Sequence, residues 1–158
     1  MSAKPVNAPS GGRLRAVGTP GRDGLLHAVG IEPQPARARA VVEATVERLG
    51  PEDALHLLGS TVRLAPGVRV SGPDGRPAER TGIAAGTRLW LGGSWTPGAG
   101  FVADEVRVRP RREFEIDKVA GPSSGHDPGR RQLEIAGFTV TTSERTMFGA
   151  EAEWEDDE

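Results

Sequence analysis

The sequence predicts an all-β chain of two small β-barrels, one continuous and one assembled from the N- and C-terminal half repeats. Three observations predict it. Apolar residues recur at every second position through most of the chain, the period of a half-buried strand. The 158 residues include 22 glycines and 13 prolines, a composition that suits short strands joined by tight turns and opposes a helical bundle. An internal repeat is present, and its parts run in the order second half, whole, first half.

Residues 1–12, rich in Pro, Ser and Gly, read as a flexible arm. Residues 13–40 hold the second half of a barrel followed by a linker through Pro33 and Pro35. In that half, Arg13-Leu14-Arg15-Ala16-Val17-Gly18, Thr19-Pro20-Gly21 and Gly24-Leu25-Leu26-His27 parallel a later stretch with small gaps.

Residues 41–111 read as the complete barrel. Its first strand alternates through Glu43-Ala44-Thr45-Val46-Glu47-Arg48-Leu49 and stops at the turn signal Gly50-Pro51. Helix formers over 36–49 support a competing helix. Alternating residues 54–64 follow and read as a bent or paired strand, with Gly59 inside the run suggesting a bend or bulge at a barrel corner. Within 71–86 lies a Pro-Asp-Gly turn, and Ile83 and Ala84 are candidates to plug one barrel end. Arg88-Leu89-Trp90-Leu91-Gly92-Gly93, Thr96-Pro97-Gly98 and Gly100-Phe101-Val102-Ala103 form the part that the N-terminal half echoes. Adjacent Asp104 and Glu105 are expected on opposite faces.

Residues 112–150 read as the first half of a second barrel. Glu113 to Val119 parallels Glu43 to Leu49, which favours strand over helix for both. Gly121-Pro122 marks a turn and 122–131 a polar loop. Leu133, Ile135, Gly137, Thr139 and Val140 then match Leu55, Leu57, Gly59, Thr61 and Val62 without a gap. The half repeats therefore predict contact between 13–31 and 113–148. Pairing within one chain, or between chains as a domain swap, satisfies the pattern equally. Residues 151–158 are an acidic tail.

On these residues, the central unit resembles a bacterial domain-of-unknown-function family of short, often tandem OB-like β-barrel modules. The resemblance runs through Val42 to Val46, Leu55 to Val62, Gly86-Thr87-Arg88-Leu89 and Gly100 to Val106. It implies an OB-like fold and brings no established activity or catalytic residue. Many such modules look like exported envelope proteins.

Composition narrows the function classes. The chain has no cysteine, which removes disulfides, thiolate nucleophiles and cysteine metal sites. No stretch approaches the roughly 20 apolar residues of a membrane span, and the start lacks a signal-peptide core, so the chain as given reads as cytoplasmic. If a leader has been removed, the envelope or the extracellular space is the alternative. His27, His56 and His126 lack metal-ligand spacing, the serines lack a nucleophile-elbow context, and the glycine-rich stretches lack a phosphate-loop ending. No catalytic residue, metal or cofactor is assigned.

The expected function is a non-enzymatic structural or protein-interaction module of a larger assembly, with a protein partner or self-association. The alternative is single-stranded nucleic-acid binding, in which Trp90 and Trp95 stack bases and Arg88, Arg107, Arg109, Arg111 and Arg112 track the backbone. Trp90 lies opposite in phase to Leu89 and Leu91, which suits an exposed platform. The net charge of −2 and only seven aromatic residues weigh against that alternative.

Overall fold

Alternation becomes strand in almost every predicted segment. The computed structural model describes residues 12–35, 39–113 and 115–149, and among them the chain forms twelve strands, one 3-10 turn at Arg80–Gly82 and no α-helix. No helix among the described residues is long and apolar enough to cross a membrane. In chain order the strands are β1 Arg13–Pro20, β2 Leu26–Pro33, β3 Ala40–Thr45, β4 Arg48–Leu49, β5 Ala54–Leu57 and β6 Ser60–Ser71. They continue with β7 Arg88–Thr96, β8 Gly100–Val108, β9 Asp117–Asp127, β10 Gln132–Ile135, β11 Phe138–Thr141 and β12 Met147–Phe148.

The chain ends close one ring together. β9 pairs with β1, β1 with β2, β2 in parallel with β11, β11 with β10, and β10 returns to β9. β12 extends the parallel contact to β2. The central strands follow the same order: β3 pairs with β7, β7 with β8, β8 in parallel with β6, and β6 with β5. β5 then meets β4, and the Glu47 N–H donates to the His56 carbonyl at 2.8 Å. Each first strand thus touches the second and fourth, and the third and fifth run parallel, as in an OB-type Greek-key barrel. The expected contact between 13–31 and 113–148 is made within one chain.

Several local expectations change. Over 36–49 the favoured strand reading holds from Ala40 and the competing helix does not form among the described residues, 36–38 lying outside the description. The expected alignment of 43–49 with 113–119 is also displaced. Ala40 faces Gly93 and Asp117 faces Gly18, so 117–122, not 113–119, occupies the place of 40–45. The Gly121-Pro122 turn and the loop over 122–131 are absent as such, because β9 runs on to Asp127. Proline is tolerated there since the strand changes partner at that point: Arg13 faces Pro122, whereas Ser123 faces Ile135.

Of the bent and paired readings of the segments around Gly59 and Gly137, the structure takes the paired one. With Leu58 and Ala136 the two glycines make two-residue hairpin turns with φ positive at both positions, the type I′ geometry that matches strand twist. Bulges occur instead at Gly18 and Gly93. A Cβ on either would fall 2.0 Å from the His27 carbonyl oxygen or 1.9 Å from that of Val102. The second bulge also brings Asp104 and Glu105 to the same guanidinium, that of Arg39, against the expected alternation. Ile83 is buried among the core residues as expected of a plug, whereas Ala84 is exposed.

Inward positions of both rings form one continuous hydrophobic core, from Leu14, Leu26 and Ile31 through Val42, Leu57 and Leu91 to Phe138 and Val140. The rings meet where β3 and β9 pair, Val42 facing Val119. Phe101 and Phe138 pack edge to face with centroids 6.0 Å apart, and the Ser60 hydroxyl donates to the Gly137 carbonyl at 2.9 Å. The residues 1–12 and 151–158 of the expected arm and tail lie outside the description except for Gly12.

Candidate functional site

The β3–β9 pairing joins the rings into a continuous antiparallel face, β8-β7-β3-β9-β1-β2, and its outer side carries the charged residues. Cross-strand register sets Arg107, Trp90, Glu43 and Lys118 in one row. Val41, Trp90 and Ala120 make a small apolar cluster separate from the core. The Arg107 guanidinium lies 4.2 Å from the centre of the Trp90 ring, a cation–π contact.

This arrangement fixes where the candidate residues stand. Trp90 does point away from Leu89 and Leu91, but it is only 4 % exposed, so it offers no stacking platform. The reason is local: Gly92 has no side chain, and the indole lies across the vacated space. Trp95 is partly buried against the core, its indole nitrogen beside Gly137 of the other ring. Arg88 is buried and pairs with buried Asp117, bridging the two rings, and also donates to the Ile116 carbonyl at 2.6 Å.

The remaining arginines surround carboxylates. Arg107 donates to Glu105 at 3.0 Å, Arg109 approaches Glu43 at 3.5 Å, and Arg111 donates to Glu115 and to the Gly86 carbonyl, both at 3.0 Å. The Arg112 backbone N–H donates to Glu115 at 3.1 Å. That N–H, with Arg88 and Arg111 nearby, holds the Glu115 carboxyl below its ordinary value. Burial pushes the Asp117 carboxyl above its ordinary value despite Arg88. Arg88, Arg109 and Arg112 with Glu43 and Glu115 line a polar cleft of about 230 Å³ at the inter-ring junction.

A larger groove, about 730 Å³, opens beside β8 on its β6 side. Its walls are the last three residues of β6, the facing part of β8 and the returning residues 75–78. The parallel β6–β8 register puts Arg69 beside Glu105 and Ser71 beside Arg107, and Ser71 bridges Pro77. Sequence reading identified Arg107 but not Arg69, Ser71, Pro77 or Glu105 as neighbours. Alternation reveals which face a residue takes, but it carries no information about which strand lies alongside in parallel.

The three histidines stand apart. His27 bonds to Asp23 at 2.9 Å and His56 to Thr61 at 3.0 Å, while His126 is the penultimate residue of β9. Among the described residues, no three His, Asp or Glu side chains gather as metal ligands. Comparison with known proteins returned no match among family models, curated proteins or solved structures.

Proposed function

We propose that the protein is a non-enzymatic structural or protein-interaction module that works within a larger assembly. The observation that carries this reading is the condition of its arginines. Arg88, Arg107, Arg109 and Arg111 each pair with a carboxylate of the same chain, Asp117, Glu105, Glu43 and Glu115 respectively. With Arg88 and Asp117 buried, the other three pairs present mixed charge on the face, which favours selective contact with a protein over attraction to any polyanion. The closed rings support the same reading, since most strand edges are paired and recognition falls to side chains and rims.

Light scattering coupled to size exclusion, on the purified full chain alone and with defined candidate partners, tests the proposal. A stable higher-order species is expected. A strictly monomeric chain that binds none of its candidate partners counts decisively against it.

The exposure of Arg109 and Arg111, 41 % and 63 % of their side chains, favours a second reading, single-stranded nucleic-acid binding. Its test is a salt-dependent mobility shift of labelled single strands that weakens in Arg109→Ala or Arg111→Ala. Absence of a shift at low salt ends that reading.

A further inference from the structure

We propose that the groove between β8 and residues 75–78 is a docking site for an acidic peptide segment of a partner protein, one carrying a large apolar side chain beside its carboxylates. The proposal rests on the protein-interaction reading above and names the surface and the partner chemistry.

The groove combines two kinds of wall. Val70, Pro77 and Ala78 give it an apolar side, and its volume of about 730 Å³ is in the range that encloses a bulky side chain or small ligand. Arg69 and Arg107 give it a basic side, with Glu105 between them. Three guanidiniums, those of Arg39, Arg69 and Arg107, converge on that one carboxylate. They do so unequally. Arg107 is anchored by its bond to Glu105 and by the Trp90 ring beneath it, whereas Arg69 reaches Glu105 only at 3.9 Å and leaves 76 % of its side chain exposed. Arg69 therefore retains donors for an incoming carboxylate, and a guanidinium presents them in the planar fork that a carboxylate matches.

The same geometry favours peptide over nucleic acid at this site. The nearest aromatic ring, Trp90, is covered by Arg107 and offers no face for a base. The mouth of the groove is unobstructed at Gly75, where an added Cβ would meet nothing within 4 Å. An extended segment can enter without displacing a strand.

The test uses the full chain and a short fluorescein-labelled peptide of glutamates around one tryptophan, followed by fluorescence polarisation. Saturable binding is expected, weakened by salt, and reduced about tenfold in Arg69→Glu and in Ala78→Trp, which fills the groove. Both positions are exposed, so thermal melting of the two variants should match the parent. A glutamate peptide with alanine in place of tryptophan should bind several-fold more weakly.

No binding of the tryptophan peptide, equal binding by both variants, equal binding of a lysine analogue, or single-stranded DNA that binds in an Arg69-dependent manner each overturns the proposal. Self-association or partner binding that persists unchanged in Arg69→Glu removes the groove proposal and leaves the module reading standing. Loss of every protein contact in the parent chain removes both.

Discussion

Gly18 and Gly93 occupy corresponding bulges in the two rings, each with a carbonyl oxygen lodged where a side chain would start. Gly93→Ala and Gly18→Ala should each lose about 2–3 kcal/mol of stability, measured by urea unfolding, because the obstruction is backbone and cannot swing aside. Gly98→Ala, with open space around the new Cβ, is the matched control and should stay within about 0.5 kcal/mol. Arg88→Met should cost about 3–5 kcal/mol by leaving the Asp117 carboxylate buried without its guanidinium, and adding Asp117→Leu should recover most of that loss. The Asp117 carboxyl itself, raised by burial, binds its proton more tightly folded than unfolded. Its contribution to stability is fully present below the unfolded value and lost as pH rises through the folded one. Stability measured across the weakly acidic range should fall with pH more steeply in the parent than in Asp117→Asn; equal slopes would refute the assignment. At this scale the sequence was least legible. Trp90 and the arginines were recognisable as a cluster, yet their burial and partners depend on the space left by Gly92 in the same strand, on Glu105 two residues from Arg107, and on Glu43 brought in from β3.

Among elements, the hairpins were the most legible. The ungapped match of Leu55 to Val62 with Leu133 to Val140 survives as two equivalent β-hairpins, because their turns are local and need only a residue pair ending in glycine. The first strands were misaligned by seven residues, since alternation repeats every two and does not mark where a strand begins. What decides the register is pairing with β1 and β7, both remote in sequence. The β1–β2 hairpin contributes two of the five strands of its ring, so its attachment is by pairing with β9, β11 and β12 more than by the linker. Introducing a protease site within 34–39 and cutting it should leave both fragments co-eluting on size exclusion under native conditions. Separation of the 1–35 fragment without denaturant would show that the ring is held by its linker.

For the whole molecule, the decisive property is that both rings share one core. Two independent domains would each unfold at their own temperature. Here Phe101 and Phe138 touch across the junction, β3 pairs with β9, and Arg88 of one ring is buried against Asp117 of the other. Calorimetry should therefore show one transition with calorimetric and van't Hoff enthalpies in agreement. Two resolved transitions would contradict the shared core. The half-whole-half order of the sequence made the topology legible at this scale. It could not reveal the common core, because neither the pairing of the two corresponding first strands, Val42 against Val119, nor the Phe101–Phe138 and Arg88–Asp117 contacts leaves a mark in the alternation of either half.

The ring built from both chain ends also sets an order on biosynthesis. The β1–β2 hairpin leaves the ribosome first, but β9, β10 and β11, which it must join, begin only at Asp117. Throughout the intervening synthesis its apolar residues Leu14, Leu26 and Ile31 lack their final neighbours, while the central ring can already close. Closure of the terminal ring is then a late step of long sequence separation, the kind of contact that folds slowly and exposes nascent strands to misassociation. The strands β9 to β11 must be made before the earlier β1–β2 hairpin finds its place.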